Sequence, residues 1–187
     1  MNPYRPFAIT ARTAGCPRKL VTPLVVMNLD PASGLVAATV NASWDTGSEP
    51  CLMSRNLAAI LGIRYEKENI CHGLTGSCVA AFGYASVSLV CNGDIIDTIA
   101  AVVDETSPTG EYSFIIGMDF IRKGTLSVSS TPLQTVLSFK IPTDRPIDFI
   151  AEADADTDVK YLPLSSTKEE IRPVFGQEAI KLLNLKH

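Results

Sequence analysis

A carboxylate set among small residues, Asp45-Thr46-Gly47-Ser48, is the part of this sequence best suited to chemistry. An aspartate takes a proton from water when ionised and gives one when protonated, so the residue type fits general acid–base work. The triplet alone also reads as a turn closed by an Asx-type hydrogen bond, and its surroundings must decide between the two. The other reactive side chains offer less. The five cysteines, Cys16, Cys51, Cys71, Cys78 and Cys91, include no C-x-x-C pair, and only His72 and His187 stand beside them. A zinc site is therefore not expected, and no cofactor is called for. Cys51 and His72 flank the triplet in sequence, yet nothing supplies the third group that orients a Cys/His pair.

The elements that would position Asp45 are mostly strands. Leu20 to Leu29 is rich in β-formers, with Pro23 suggesting a start at a sheet edge. Asp30 to Gly34 is turn chemistry, and Leu35 to Val40 returns as a strand that leads through Trp44 into Asp45. Ser54 can cap a short helix with Leu57, Ile60 and Leu61 on one face and Gly62 as its stop. Ile70 to Gly83 is studded with glycines and reads as a mobile hairpin. Ala85–Cys91 and Ile95–Val103 are strands about the hairpin signal Asn92-Gly93. After a loop at Glu105–Tyr112, the apolar strand Phe114-Ile115-Ile116 ends in Gly117, followed by a helix of one or two turns near Met118–Lys123. Leu126–Val128 and Thr135–Phe139 form a last hairpin around Pro132.

Three segments follow. Residues 1–18, with prolines, charges and no periodicity, read as an N-terminal arm. Residues 19–141 read as one mainly β domain, a small closed barrel with one or two short helices. Residues 142–187 read as an acidic linker and a C-terminal helical extension, with capping-box spacing at Ser166–Glu169 and a helix-prone run at Gln177–Leu183.

Composition narrows the function classes. The chain has 187 residues, 46% of them hydrophobic and 19% charged, which suits a core-forming protein. Its net charge of -4 gives no electrostatic footprint for nucleic acid or an anionic membrane surface. No run reaches the roughly 18–20 apolar residues of a membrane helix, and the start, Met1 to Pro6, lacks a signal core. A cytoplasmic protein with reduced cysteines is expected.

The ordered set of Asp45-Thr46-Gly47-Ser48, the glycine hairpin at Cys71–Cys78, and Phe114-Ile115-Ile116-Gly117-Met118-Asp119-Phe120 resembles the retropepsin-like aspartic proteases. The resemblance spans roughly residues 20–140. It implies the closed acid-protease barrel and an endopeptidase with Asp45 as the catalytic carboxylate. Peptide hydrolysis of this kind needs one carboxylate to activate water and one carboxylic acid to protonate the carbonyl oxygen; two carboxyls about 3 Å apart share a proton because both cannot ionise cheaply. None of the other aspartates opens a second Asp-Thr-Gly or Asp-Ser-Gly. The second carboxylate is then expected from an identical chain, in a homodimer acting on a peptide substrate.

The resemblance further implies that Thr46 bonds across to its counterpart, that Gly47 admits close backbone approach, and that Ser48 braces Asp45 from outside. Gly73, Leu74, Thr75 and Gly76 would form a substrate-covering flap, although an ordinary surface hairpin fits the same spacing. Ile115, Ile116 and Gly117 would support the Asp45 loop, and they equally suit a core strand. Asp119 is assigned to the helix N-terminus rather than to catalysis. Cys71 and Cys78 flank the hairpin symmetrically; a disulfide there is geometrically possible but weighs against a cytoplasmic protein, and two plain thiols are expected. Trp44, where an aliphatic residue is usual, and Glu49-Pro50 depart from the family pattern. These departures motivate an alternative, a catalytically weak or inactive peptide-binding or dimerisation module of the same fold. A small β domain with a chance triplet is the third reading.

Overall fold

The computed structural model describes residues 6–28, 36–73, 76–88, 96–107, 109–143, 145, 147–149 and 151, with the backbone alone for 65–73 and 76–80. The chain divides into two units, Met1–Ile147 and Asp148–His187. The helical extension expected within 142–187, the Asn92-Gly93 turn, and Leu74 and Thr75 lie outside the described residues.

Alternating burial builds the first strands. In β2 (Val21–Asn28), Leu24 and Val26 are fully buried, and β2 pairs antiparallel with β3 (Val36–Trp44). Pro23 precedes the stretch where β2 gains its second neighbour, so its missing N–H costs no ladder bond on that side. After the Asp45 loop come β4 (Cys51–Ser54) and the helix α1 (Arg55–Ile60). The Ser54 side chain accepts from the Leu57 N–H at 3.2 Å, and Gly62 follows the helix in the left-handed region at φ 64°, where a Cβ would be strained. Leu57 and Leu61 are buried as the periodicity predicts. Ile60 is 60% exposed instead, and Ala58 takes the inward position.

Next come β5 (Tyr65–Gly73), β6 (Gly76–Ser88), β7 (Ile96–Val103), β8 (Phe114–Ile116) and the helix α2 (Met118–Ile121). The sheet order β2-β3-β8-β4-β7-β6 closes on itself because Val25–Met27 also pair with Ser86–Ser88 of β6. Six strands thus form a closed barrel, with β5 added on β6. The sequence suggests two separate hairpin arms around residue 84; the structure merges them into one thirteen-residue strand, β6, which pairs β5 along its first half and β7 along its second. Glycine-rich local chemistry signals turns, but pairing on both sides of β6 keeps Gly83 extended within the strand.

A three-stranded sheet completes the unit, in the order β1-β10-β9, with β1 (Phe7–Ala14), β9 (Thr125–Ser130) and β10 (Gln134–Ile141). The N-terminal arm therefore carries a strand, paired with β10 from Phe7↔Ile141 to Ala14↔Gln134. Its alternation is muted in the sequence because alanine and threonine occupy five of its eight positions.

The core gathers around three rings. Trp44 at the end of β3, Phe120 on α2 and Phe139 on β10 are all buried, with centroids 5.2 Å apart for Trp44–Phe139, 5.7 Å for Phe120–Phe139 and 6.4 Å for Trp44–Phe120. Phe139 thereby ties the small sheet to the barrel. Its replacement by alanine removes a large buried side chain and leaves a cavity that a closed barrel collapses poorly. Phe139→Ala should cost about 3–5 kcal/mol of unfolding free energy, measured by urea denaturation.

Candidate active site

Asp45 leaves β3 one residue after Trp44, and its position follows from strand direction. β3 and β8 run parallel, with Trp44 opposite Ile116, so both strands end at the same level of the barrel. β8 also pairs antiparallel with β4. The chain from 45 to 50 therefore crosses over the end of β8 to reach β4 on its far side.

Backbone hydrogen bonds fasten that crossing. Asp45 N–H donates to the Ile116 carbonyl at 3.0 Å, Met118 N–H to the Ser48 carbonyl at 2.8 Å, and Asp119 N–H to the Glu49 carbonyl at 3.0 Å. The last two satisfy N–H groups at the start of α2 that have no partner within the helix. No side chain caps α2, whose N-cap is Gly117; the loop's carbonyls do that work. The approach is close enough to demand glycine: a Cβ on Gly117 would lie 2.2 Å from the Pro50 carbonyl oxygen and 2.5 Å from its carbon.

Within the loop, the Gly47 N–H donates to Asp45 Oδ1 at 2.8 Å, the Asx-type bond that the triplet suggests, and Ser48 N–H donates to the Asp45 carbonyl at 3.3 Å. One carboxylate oxygen is thus oriented by the backbone. Asp45 is half-buried, while Thr46 and Gly47 are exposed. The Ser48 hydroxyl donates to the Pro50 carbonyl at 2.7 Å, so it stiffens the loop rather than binding the carboxylate. Glu49 is exposed, its backbone held by Asp119. Asp119 sits in the first turn of α2 and pairs with Arg122 at 2.7 Å.

Trp44 has a structural place that the sequence did not disclose. Its indole Nε1–H donates to Thr22 Oγ1 at 2.9 Å in the interior, so its polar atom is satisfied while the ring packs against Phe120 and Phe139. Cys51 is fully buried beside the same crossing, and Thr98 Oγ1 donates to its sulfur at 3.6 Å. Burial pushes this thiol up, against thiolate formation. It belongs to the core.

Ile115 and Ile116 are buried in β8 next to the loop. The hairpin of β5 and β6 places Gly73 opposite Gly76, His72 opposite Ser77 and Cys71 opposite Cys78. A cavity of about 220 Å³ lies elsewhere, lined by Ala11, Arg12, Leu20, Thr22, Thr135 and Leu137 among others, and Asp45 does not border it. Among the described residues no group of three or more His, Cys, Asp or Glu side chains could hold a metal ion, and no helix is long and apolar enough to cross a membrane.

No protein-family model matches the sequence, and no curated protein does. Among solved structures, the chain is similar to a retropepsin-like aspartic protease from Rickettsia conorii, at TM-score 0.45 and 13% identity over 75% of this chain and 98% of that one. It is also similar to EIAV protease complexed with an inhibitor, at TM-score 0.41 and 16% identity over 56% of this chain and 86% of that one.

Two outcomes follow from the site itself. Gly117→Ala should destabilise the chain by about 3 kcal/mol, because the added methyl meets rigid backbone rather than a side chain that can turn away; thermal or urea unfolding measures this. Iodoacetamide at neutral pH should label exposed Cys16 and spare Cys51 in the folded chain, as read by peptide mapping.

Proposed function

We propose that this chain is an aspartic endopeptidase of the retropepsin kind, working as a homodimer in which Asp45 of each copy supplies one carboxyl of a water-activating pair. The observation that carries this reading is the Asp45 loop: a half-buried carboxylate, oriented by the Gly47 N–H and strapped across Gly117, on a loop whose next two residues are open to solvent. An Asx bond closes ordinary turns as well; what supports the reading is that bond combined with the strap across Gly117 and the solvent-open residues beside the carboxylate.

The chemistry assigns roles in order. The ionised carboxylate of the pair takes a proton from water as the oxygen attacks the peptide carbonyl, and the protonated one gives its proton to the carbonyl oxygen. The pair holds one proton because two carboxylates about 3 Å apart repel strongly. Collapse of the tetrahedral species then breaks the C–N bond as the amine takes up a proton. Thr46 of the two copies would bond to one another and align the loops. Ser48 and Gly117 keep each loop rigid, and Ile115 and Ile116 form the apolar floor.

The β5–β6 hairpin, with Gly73, Leu74, Thr75 and Gly76 at its end, would cover an extended peptide and bind its backbone. Apolar side chains flanking the scissile bond suit the few charges in these segments. Neither nucleic acid nor membrane has a part in this scheme.

The test is cleavage of a diverse peptide mixture by wild type and Asp45→Asn, read by mass spectrometry from mildly acidic to neutral pH. The wild type should cut, and Asp45→Asn should lose at least on the order of 10²–10⁴-fold while remaining folded and dimeric by sedimentation. Mixing excess Asp45→Asn into wild type should depress activity beyond simple dilution, since mixed dimers carry one carboxyl of the pair. Near wild-type cleavage by Asp45→Asn, or full activity in a strict monomer, would sink the assignment. Silence from both proteins would favour the peptide-binding module.

A further inference from the structure

The register of the β5–β6 hairpin puts two of the five cysteines directly opposite one another, Cys71 against Cys78, two positions in from the Gly73↔Gly76 pair. Direct partners on an antiparallel ladder share one face of the sheet and keep their Cα atoms about 4.5–5.5 Å apart. That separation falls within the roughly 4.4–6.8 Å that a disulfide spans. From this juxtaposition we propose that Cys71 and Cys78 are a modification site, a dithiol that closes reversibly into a cross-strand disulfide and staples the hairpin near its tip.

Placement separates this pair from two other cysteines of the chain. Cys16 is exposed on a different segment, where its thiol meets the Thr131 carbonyl at 3.3 Å, and Cys51 is sealed in the core. Among the described residues neither has a cysteine partner. Cys91 lies outside the described residues. Cys71 and Cys78 are partners on a ladder that sets their backbone spacing, which lies within the range a disulfide spans. The glycines on either side of the tip let the backbone adjust as the bond closes.

The step balances by thiol–disulfide exchange with a small disulfide such as glutathione disulfide. One cysteine thiolate attacks a sulfur of the oxidant, forming a mixed disulfide and expelling one glutathione thiolate. The second cysteine thiolate attacks the protein-bound sulfur, the Cys71–Cys78 bond forms, and a second glutathione leaves. The two protons end on the two glutathione thiols; the protein dithiol is oxidised and the glutathione disulfide reduced. On the function proposed above, the staple would restrict the hairpin over a bound peptide. That consequence rests on the protease reading, whereas the bond itself does not.

The test equilibrates the full chain across mixtures of glutathione and glutathione disulfide, quenches with acid, alkylates under denaturing conditions, and counts free thiols by intact mass. Two thiols should disappear together in one step, with the cross-link mapped to Cys71 and Cys78 and reversed by dithiothreitol. Cys71→Ser and Cys78→Ser should each abolish that step and take up a single glutathione instead, whereas Cys16→Ser should keep it. Hydrogen exchange at the 71–78 amides should slow in the oxidised protein. A thiol count unchanged across the whole range, two independent glutathione adducts, or cross-links confined to Cys91 or to a second chain would each overturn the proposal. Oxidation with slowed exchange, in a protein that cleaves nothing in either redox state, would uphold the dithiol site and count against the protease.

Discussion

Everything at the Asp45 end of this molecule depends on β8 lying between β3 and β4. A strand inserted between two others that are consecutive in sequence forces their connection to pass over its end. Here that connection is residues 45–50, and the end it passes over is Gly117. Parallel pairing of β3 with β8 brings the two ends level, and backbone bonds from Asp45, Met118 and Asp119 lock the crossing. The bonds need the two backbones in contact, and contact needs a residue without a Cβ. One steric condition therefore connects strand order, loop rigidity and the aim of a carboxylate.

Aromatic packing ties together the elements that carry the crossing. Trp44, Phe120 and Phe139 come from three different elements and pack together in the core. Trp44 ends the strand that carries Asp45, Phe120 lies on the helix whose first N–H groups hold the loop, and Phe139 belongs to the outer sheet. Large buried aromatics suit this role because each removes much apolar area from water while losing few rotamers. The indole N–H of Trp44 would oppose burial if unpaired, and Thr22 removes that cost.

The rigid end contrasts with the hairpin. β5 is attached to the barrel through β6, which it pairs from Tyr65 to Gly73. On the proposed function, this hairpin is the element that would close over an extended chain. The proposed Cys71–Cys78 bond would stiffen that hairpin.

Local chemistry made several features legible in the sequence. The Asx turn at Asp45–Gly47, the Ser54 cap, the Gly62 stop and the β9–β10 turn near Pro132 depend on neighbours a few residues apart, and the chain forms each of them. The closed barrel followed from short strands and frequent turns. Other features depended on contacts between distant segments. The pairing of β1 with β10 joins residues near opposite ends of the described chain, and the alanines and threonines of β1 gave it little pattern of its own. The single long β6 arose because neighbours on both sides kept it extended through Gly83. The sequence by itself determined which residue types stood at the turns, caps and candidate site. Only the tertiary structure decided that Trp44 packs with Phe120 and Phe139, that Cys51 is core, and that Gly117 must be glycine, because each of these is set by atoms brought together through strand order rather than by chain neighbours.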